Sequence, residues 1–448
     1  MPQILAFHGA VIHALGPDRV ELLENAAVVV TDGVISEFHS NVSLEELSQS
    51  LSDNVDIQQL TKGQFLSPGF VDTHNHAPQW AMRGLGQGLH ILDWLEKVTF
   101  PHEARFSDPV YARRVYESCV DGFLKQGITT ASYYGSKHAK ATQILADTCL
   151  AKGQRALVGK CNMDRNAPSY LADESAQSSL EETVQCIEHI RAIDPAGILI
   201  QPVLTPRFAI CCTPDLLTGL GKLATEDPSL AIQTHFNEAE QEINFTRELF
   251  PDFKSEADLY AHYGLLTNRS ILAHCTFMTD CEMDKLAEHE SSVAHCPISN
   301  MTVGGGFMAA EIRRFLDRGI KVGLGTDSGG GFSSSMLDSI RQAMIASNAR
   351  EVMSSGKDKA LSLDELFYLA TLGGARVCGL DDKVGSFAVG KEFDAITVVS
   401  ELDASDGIMT PFEGDDGLRT TFEKFLMTGD DRNISRVYVR GRLIKGTA

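Results

Sequence analysis

The sequence contains no uninterrupted apolar run that approaches the ~20 residues needed to span a membrane. It has no cluster of basic residues, and its formal net charge is −21. Because an acidic surface repels phosphate groups, we expect neither a nucleic acid nor a membrane as partner. The hydrophobic fraction of 43% and the charged fraction of 22% are those of an ordinary globular protein.

The ten cysteines include no CxxC pair. Cys211 and Cys212 are adjacent, and the remaining cysteines are scattered, several of them in apolar surroundings. This pattern predicts free thiols rather than a disulfide framework. The first residues also lack the basic and apolar regions of a secretory leader, and the last residues match no address signal. We therefore expect a cytoplasmic protein.

The two ends of the chain share one pattern, in which turn residues separate short apolar or alternating runs. These runs occupy residues 4–15, 26–30, 34–38, 394–399 and 437–444. A chain of 448 residues exceeds the roughly 250–300 at which a single core stops growing, so a large and a small domain are expected. We predict that the ends combine into a small β-sandwich domain, residues 1–65 plus 380–448.

From residue 66 to residue 379, apolar runs alternate with helix-like stretches, which is typical of parallel βα units. The candidate strands are residues 65–71, 128–134, 156–163, 198–204, 230–234, 271–273, 292–294 and 321–325. Helices are expected between them, including residues 109–126, 180–193 and 309–318. Eight such strands predict an α/β fold, a (β/α)8 TIM barrel over residues 66–379. The long segment 77–107 would overhang the end of the first strand, where active sites of barrels lie.

The first candidate strand leads into His74-Asn75-His76. Residues two apart on an extended chain point to the same face, so both imidazoles leave the strand together. Neutral imidazole is a common ligand of zinc. An isolated pair of this kind can equally be a surface or core pair. The interpretation as a metal site therefore depends on whether further ligands follow in the sequence.

Further candidate ligands follow the later strands of the predicted barrel. His235 ends the fifth, His274 follows the sixth, His295 the seventh, and Asp327 the eighth. The gap from His235 to His274 fits one βα unit, and the gap from His274 to Asp327 fits two. These side chains are therefore expected at one mouth of the barrel, where they predict a metal site.

His74, His76, His235 and Asp327 would hold one zinc or iron and leave room for a water molecule. His274 would either hold that water or join the ligands, and the thiol of Cys275 is a further candidate ligand. The fourth strand carries no lysine that a modification could convert into a bridge between two metals. A mononuclear site with one Zn²⁺, or alternatively Fe²⁺, per subunit is expected, and we interpret His295 as structural.

Taken together, these motifs resemble the amidohydrolase superfamily over nearly the whole chain. The residues that carry this resemblance are 68–76, His235, His274, 295–300, 325–327 and 385–395. Within the superfamily, the local signatures are most similar to those of the guanine deaminases. These signatures are residues 94–97, 99–101, 205–208, 235–238, 324–327, 335–338, 371–374 and 429–434.

The resemblance implies a zinc-dependent enzyme that converts guanine to xanthine and ammonia through a metal-activated water. Asp327 would take a proton from that water, and Glu238 would carry a proton to the ring nitrogen and the leaving amine. His274 would stabilise the negative charge that develops on oxygen. The resemblance also implies a homodimer.

Three further residues have side chains that suit a planar base. The amide of Gln79 offers both a donor and an acceptor, Arg207 offers a planar fork, and Phe208 could stack on the ring. The substrate would also contact the groups around the metal, which are His235, Glu238 and Asp327.

Two other interpretations remain open from the sequence. The substrate could instead be 8-oxoguanine, an adenosine-type nucleoside or a triazine, although Gln79 and Arg207 favour a free base that carries a carbonyl group. A barrel of this kind could also be a non-enzymatic scaffold, but a scaffold would be expected to have lost ligands that this sequence retains.

Overall fold

Strands dominate both ends of the chain, and strands alternate with helices between them. The computed structural model describes residues 3–52, 55–303, 308–400 and 413–446. The described strands are β1 (Ile4–Gly16), β2 (Arg19–Thr31), β3 (Val34–His39), β4 (Ile57–Gln59), β5 (Gln64–Pro68), β6 (Phe70–His76), β7 (Ile128–Tyr134), β8 (Arg155–Gly159), β9 (Cys161–Asn162), β10 (Ile200–Pro206), β11 (Ala231–Phe236), β12 (Ser270–His274), β13 (Ser292–His295), β14 (Lys321–Leu324), β15 (Ala395–Val399), β16 (Ile434–Val439) and β17 (Arg442–Lys445).

Most of the helices connect the strands of the middle region and cover them, while the first and the last lie among the strands of the two chain ends. They are α1 (Leu44–Ser50), α2 (Ile91–Trp94), α3 (Phe100–Glu103), α4 (Pro109–Lys125), α5 (Ala139–Lys152), α6 (Ala176–Ile193), α7 (Pro214–Glu226), α8 (Glu240–Leu249), α9 (Glu256–His262), α10 (Asp280–Glu288), α11 (Pro297–Thr302), α12 (Ile312–Asp317), α13 (Met336–Met353), α14 (Leu363–Ala370), α15 (Leu372–Val377) and α16 (Leu418–Thr428). None of these described helices combines the length and apolar composition needed to cross a membrane.

The middle of the chain forms a parallel barrel. Its strands lie in the order β6-β7-β8-β10-β11-β12-β13-β14, and the short β9 pairs with β10. The end of β14 returns to β6, where the Asp327 amide donates to the His74 carbonyl over 2.9 Å and Thr73 Oγ1 donates to the Leu324 carbonyl over 2.9 Å. The predicted (β/α)8 barrel is confirmed, and the carboxyl ends of its strands share one mouth.

The two chain ends meet in a second sheet. Its strand order is β17-β16-β15-β5-β1-β2-β3, with β4 paired to β1. The ring of Phe7 lies 5.0 Å from that of Phe393 and 5.4 Å from that of Tyr438, so residues from both ends share one apolar core. The prediction of a small β domain built from both ends is confirmed. The boundaries 1–65 plus 380–448 and 66–379 remain predictions.

The predicted first strand, residues 65–71, is divided in the structure between the two sheets. β5 pairs with β15 in the terminal sheet, and β6 begins the barrel after a break at Gly69. Proline cannot donate to a sheet ladder, and β5 ends at Pro68. At Gly69 a β-carbon would lie 2.2 Å from Thr129 Oγ1, so only glycine fits at the crossing point.

The segment 77–107 is largely helical rather than irregular. It contains the 3₁₀ turns Ala77–Met82 and Ala104–Ser107, helices α2 and α3, and a π-helical turn at Leu95–Thr99. Its own residues Trp94 and Phe100 are buried, in a cluster with Phe208. The segment overhangs the mouth of the barrel and places α2 and α3 beside the candidate site described next.

Candidate metal-dependent active site

Four histidines and one aspartate converge at the mouth of the barrel. Nε2 of His76 lies 3.0 Å from Nε2 of His235. Asp327 Oδ1 lies 3.3 Å from Nε2 of His74 and 3.6 Å from Nε2 of His76. The ring of His274 lies 5.2 Å from that of His74 and 5.3 Å from that of His235. The structure therefore brings together all four predicted ligands and His274.

Hydrogen bonds behind two of the rings fix which nitrogen faces the centre. Nδ1 of His235 lies 2.5 Å from the Arg207 carbonyl oxygen, and Nδ1 of His274 lies 2.8 Å from Asn300 Oδ1. Both partners are acceptors, so each Nδ1 carries the hydrogen and each Nε2 presents a lone pair. This is the tautomer that a metal ligand requires.

The donor set fits a divalent metal ion. Nε2 of His74 and Nε2 of His274 are buried and make no hydrogen bond within the described residues. Candidate ligand atoms of His74, His76 and Asp327 lie within 4.8 Å of one another, as do those of His74, His235 and His274. Buried polar atoms normally have a partner, and a shared cation would satisfy all of these at once.

Burial also sets the charges of these groups. Burial, followed by the proximity of His74, holds the pKa of His76 and that of His235 well below their usual range. Burial would raise the pKa of Asp327, but attraction from His74 and the other histidines outweighs it and holds this pKa well below its usual range. Neutral imidazoles and an ionised carboxylate are the forms that bind a metal.

Several residues that follow the strands adopt left-handed backbone conformations. The φ angle is +45° at Asn237, +77° at His274, +49° at Cys275 and +43° at Asp327. Such angles are uncommon for residues other than glycine and cluster at functional sites. Here they turn the chain sharply at the ends of β11, β12 and β14.

Glu238 lies beside the histidine cluster. Its Oε2 is 3.7 Å from Nε2 of His274, and only 4% of the residue is exposed. Burial raises the pKa of Glu238 above its usual value. A carboxyl group whose pKa is raised holds a proton to higher pH than an exposed glutamate does, which suits a general acid and base.

Gln79 and Arg207 lie on either side of a buried carboxylate, Glu103. Nη1 of Arg207 donates to Glu103 Oε2 over 2.7 Å, and Nη2 donates to Oε1 over 3.2 Å. Nε2 of Gln79 donates to the same Oε1 over 2.9 Å. Of these three residues, the sequence analysis identified only Gln79 and Arg207.

One small pocket joins the cluster to these polar groups. Its lining residues are His76, Gln79, Ile91, Trp94, Leu95, Arg207, Phe208, His235, Glu238, Val303, Asp327 and Gly330. Its walls are thus apolar on the side of α2 and carry a few convergent polar groups on the other sides, as in most small-molecule sites. The ring of Phe208 lies 6.0 Å from that of His235.

Similarity to known proteins agrees with this geometry. The sequence profile described as the Amidohydrolase family matches residues 65–444. The chain belongs to the amidohydrolase family. This amidohydrolase is 41% identical over 444 residues to the probable guanine deaminase of Schizosaccharomyces pombe, an alignment that covers 98% of this chain and 83% of that protein.

Two further relatives are similar over almost their full lengths. The guanine deaminase of Dictyostelium discoideum is 39% identical over 454 residues, which cover 99% of this chain and 98% of that protein. The crystal structure of guanine deaminase from C. acetobutylicum with bound guanine superposes with a TM-score of 0.89 at 31% identity, covering 98% of this chain and 100% of that one.

Two other residues considered in the sequence analysis lie apart from the ligand cluster. His295 ends β13 and is buried, and burial lowers its pKa to about 3. The Cys275 thiol lies 3.7 Å from the Leu272 carbonyl and belongs to neither candidate ligand group among the described residues.

The structure adds residues around the site that sequence reasoning missed. Tyr134 packs 4.7 Å from the rings of both His74 and His76. It ends β7, so the rule that site residues follow barrel strands could have found it. Asn300 lies in α11, just after β13, within the segment 295–300 that carries the family resemblance, but it received no role there. No sequence signal distinguishes Glu103.

Proposed function

We propose that this amidohydrolase catalyses the hydrolytic deamination of guanine to xanthine and ammonia. One observation carries the proposal. A single small pocket is lined by His76, His235 and Asp327 from the histidine and aspartate cluster, by the buried Glu238, and by the polar pair Gln79 and Arg207. The relatives named guanine deaminase, at 39–41% identity, support the choice of substrate.

We propose that His74, His76, His235 and Asp327 hold one Zn²⁺ per subunit, with Fe²⁺ as the alternative. A bound divalent ion supplies Lewis acidity, which makes a water molecule nucleophilic near neutral pH. The neutral Nε2 atoms and the ionised Asp327 are suited to this set. Asp327 accepts a proton from the attacking water.

Glu238 handles the other proton transfers in this proposal. Its raised pKa allows the carboxyl group to protonate the ring nitrogen beside the carbon that loses its amine. The Glu238 carboxylate left by this transfer then takes the second proton of the attacking water and delivers it to the departing amine, and the proton held by Asp327 returns to Glu238 before the next turnover. Nε2 of His274, 3.7 Å away, either joins the metal ligands or, when protonated, stabilises negative charge developing on oxygen.

Gln79, Arg207 and Phe208 bind the purine. Arg207 is buried and charged, so it can donate to a carbonyl oxygen or a ring nitrogen. Phe208 is 4% exposed and contributes an aromatic wall on which a base can lie. Contacts with His235, Glu238 and Asp327 place the reacting carbon at the ligand cluster.

The alternative substrates are less well supported. The apolar residues Ile91, Trp94 and Leu95 close the pocket on the side of α2, which leaves little space for the sugar of a nucleoside. The relatives at 39–41% identity are named for guanine rather than for 8-oxoguanine or a triazine. The retained cluster also argues against a scaffold without catalysis.

We also propose a homodimer in the cytoplasm. The ten cysteines all lie in the described part of the chain as free thiols, nine of them buried, which suits a reducing compartment. The homodimer rests on the resemblance to guanine deaminases. Sedimentation of the purified protein and microscopy of a tagged chain test these two points.

Metal analysis and a guanine assay on one purified sample test the main proposal. We expect about one equivalent of zinc or iron per chain, and release of ammonia as the ultraviolet spectrum of guanine changes to that of xanthine. Asp327→Ala should lose both metal and turnover. A metal-loaded protein that leaves guanine intact would disprove the activity, and a folded protein that binds no metal would favour the scaffold.

A further inference from the structure

Glu103 connects the two polar residues that face the pocket. Its carboxylate accepts two hydrogen bonds from Arg207 and one from Gln79. All three residues are at least 97% buried. Glu103 itself is not among the residues that line the pocket. Any effect of Glu103 on a bound molecule therefore passes through its two neighbours.

The carboxylate determines which way the Gln79 amide points. A carboxylate paired with arginine only accepts hydrogen bonds, so the amide must turn its NH₂ group toward Glu103. Its oxygen then faces away from Glu103. That oxygen has no hydrogen-bond partner within the described residues.

The amide oxygen of Gln79 is buried, and the backbone of Gly329 packs against it. Gly329 has a φ angle of +128°, and a β-carbon there would lie 2.2 Å from Gln79 Oε1. Any side chain at this position would therefore displace or cover the oxygen. Glycine at this position therefore leaves room for an unpartnered acceptor on Gln79, a residue that lines the pocket.

We propose that Glu103 is a specificity-determining positioning residue, which makes Gln79 an acceptor toward the substrate and holds the donor Arg207 in place beside it. The inference rests on the proposed function and deepens it. A bound base must then present an N–H to Gln79 and a carbonyl or ring-nitrogen acceptor to Arg207. Guanine carries both kinds of group, and a purine with the opposite arrangement is rejected.

Glu103→Gln tests the direction of the amide. A glutamine at 103 has one acceptor oxygen, and the cationic Arg207 claims it. The NH₂ group of residue 103 then faces Gln79, whose amide must turn over and present NH₂ to the pocket. We expect kcat/KM for guanine to fall ~10–100-fold, mainly through KM, because two donors now face each other. Metal content should not change.

A second substitution should rescue this loss. In Gln79→Glu/Glu103→Gln, the carboxylate at 79 accepts from residue 103 with one oxygen and offers the other to the pocket. Gln79→Glu alone places two carboxylates together and should impair binding. The double variant should therefore bind guanine better than either single variant, which is a coupling that a merely structural role of Glu103 does not predict.

Folding and binding are measured separately from turnover. Thermal unfolding and metal analysis check each variant, and Glu96→Gln, an exposed glutamate in the same segment, is the matched control. If Glu103→Gln does not fold, Glu103→Asp replaces it. The shorter side chain of aspartate keeps a negative charge near Arg207 but no longer reaches the amide of Gln79. The KM for guanine should therefore still rise.

The outcomes for the two proposals are distinguishable. Guanine binding is measured by calorimetry on the metal-loaded proteins, and deamination by ammonia release. If the protein binds guanine but does not deaminate it, the proposed function is wrong. The dissociation constants of the wild type, the two single variants and the double variant would still test the role of Glu103. Normal turnover with independent effects of the two substitutions would overturn the role of Glu103 alone. A wild-type protein that neither binds nor deaminates guanine would overturn both.

Discussion

At the scale of single residues, Glu238 is held by a second layer of carboxyl groups. Its backbone N–H donates to Glu242 Oε2 over 3.1 Å, and Glu256 Oε2 accepts from the Asn237 N–H over 3.0 Å. Glu242 and Glu256 are both buried. Burial, together with the charge of Glu256, raises the pKa of Glu242 well above its usual range. Glu242 therefore keeps its proton to higher pH than an exposed glutamate and, while protonated, can donate to Glu256.

Glu238→Gln should separate metal binding from catalysis. Glutamine has the same shape but cannot take up or release a proton, so we expect turnover to fall by ~10²–10⁴-fold at unchanged metal content. Guanine assays with metal analysis measure both quantities. Unchanged turnover would remove Glu238 from the mechanism.

Glu242→Gln should alter how stability depends on pH. The raised pKa keeps Glu242 protonated in the folded state while the unfolded chain releases this proton above pH ~4.5, so the wild type loses stability as pH rises. The variant lacks this loss. Its stability relative to wild type should increase by about 1.4 kcal/mol per pH unit between pH ~4.5 and the raised folded-state pKa of Glu242, and stay constant above it.

Urea unfolding at several pH values measures this slope. The matched control is Glu240→Gln, an exposed position at the start of the same helix. An equal slope in the control, or equal stability of variant and wild type from pH 4 to pH 7, would contradict the prediction.

At the scale of elements, a buried aspartate closes the barrel between its first and last strands. Asp72 on β6 accepts from the Thr326 N–H over 3.0 Å and from Thr326 Oγ1 over 2.7 Å. Burial raises the pKa of Asp72 to about 7. Because Thr326 precedes Asp327 and Asp72 lies two residues before His74, this contact holds two candidate ligands in register.

Thr326→Val should weaken this closure. Valine matches threonine in shape but leaves Asp72 without the hydroxyl donor, and hydrogen bonds to charged groups contribute roughly 1.5–3 kcal/mol. We expect the free energy of unfolding to fall by about this amount in urea. A change no larger than that of Thr218→Val, at an exposed threonine of α7, would contradict the assignment.

At the scale of the whole molecule, one buried arginine joins the barrel to the terminal sheet. Arg155 on β8 donates from Nε to Asp394 Oδ2 over 3.1 Å and from Nη2 to Glu392 Oε2 over 2.6 Å. Arg155 is 1% exposed, and Asp394 is 3% exposed. The bond crosses from one sheet to the other, so it should make their unfolding cooperative.

Arg155→Met should destabilise the barrel and the terminal sheet together. It leaves buried carboxylates without their partner, and breaking such a pair costs about 3–5 kcal/mol. We expect one unfolding transition at lower urea concentration. Arg155→Met/Asp394→Asn removes an unpaired charge and should recover part of the loss. Two separate transitions in the wild type would show that the sheets unfold independently.

The amino-acid sequence alone is enough to predict the architecture and a candidate ligand set. Apolar runs at βα spacing predict the barrel, because a strand buried on both faces must be apolar along its whole length. Histidines and an aspartate at strand ends meet in any such barrel, since parallel strands bring their carboxyl ends to one mouth. Their positions in the chain therefore predict a single group, which consists of His74, His76, His235 and Asp327.

The polarity of the pocket, in contrast, depends on tertiary packing. Glu103 lies in a segment without a regular pattern, and its partners, Gln79 and Arg207, are distant from it in sequence. Local spacing does not determine which groups such a segment meets, because packing against the barrel mouth fixes its path. The direction of the Gln79 amide therefore depends on a three-residue contact that exists only in the folded chain.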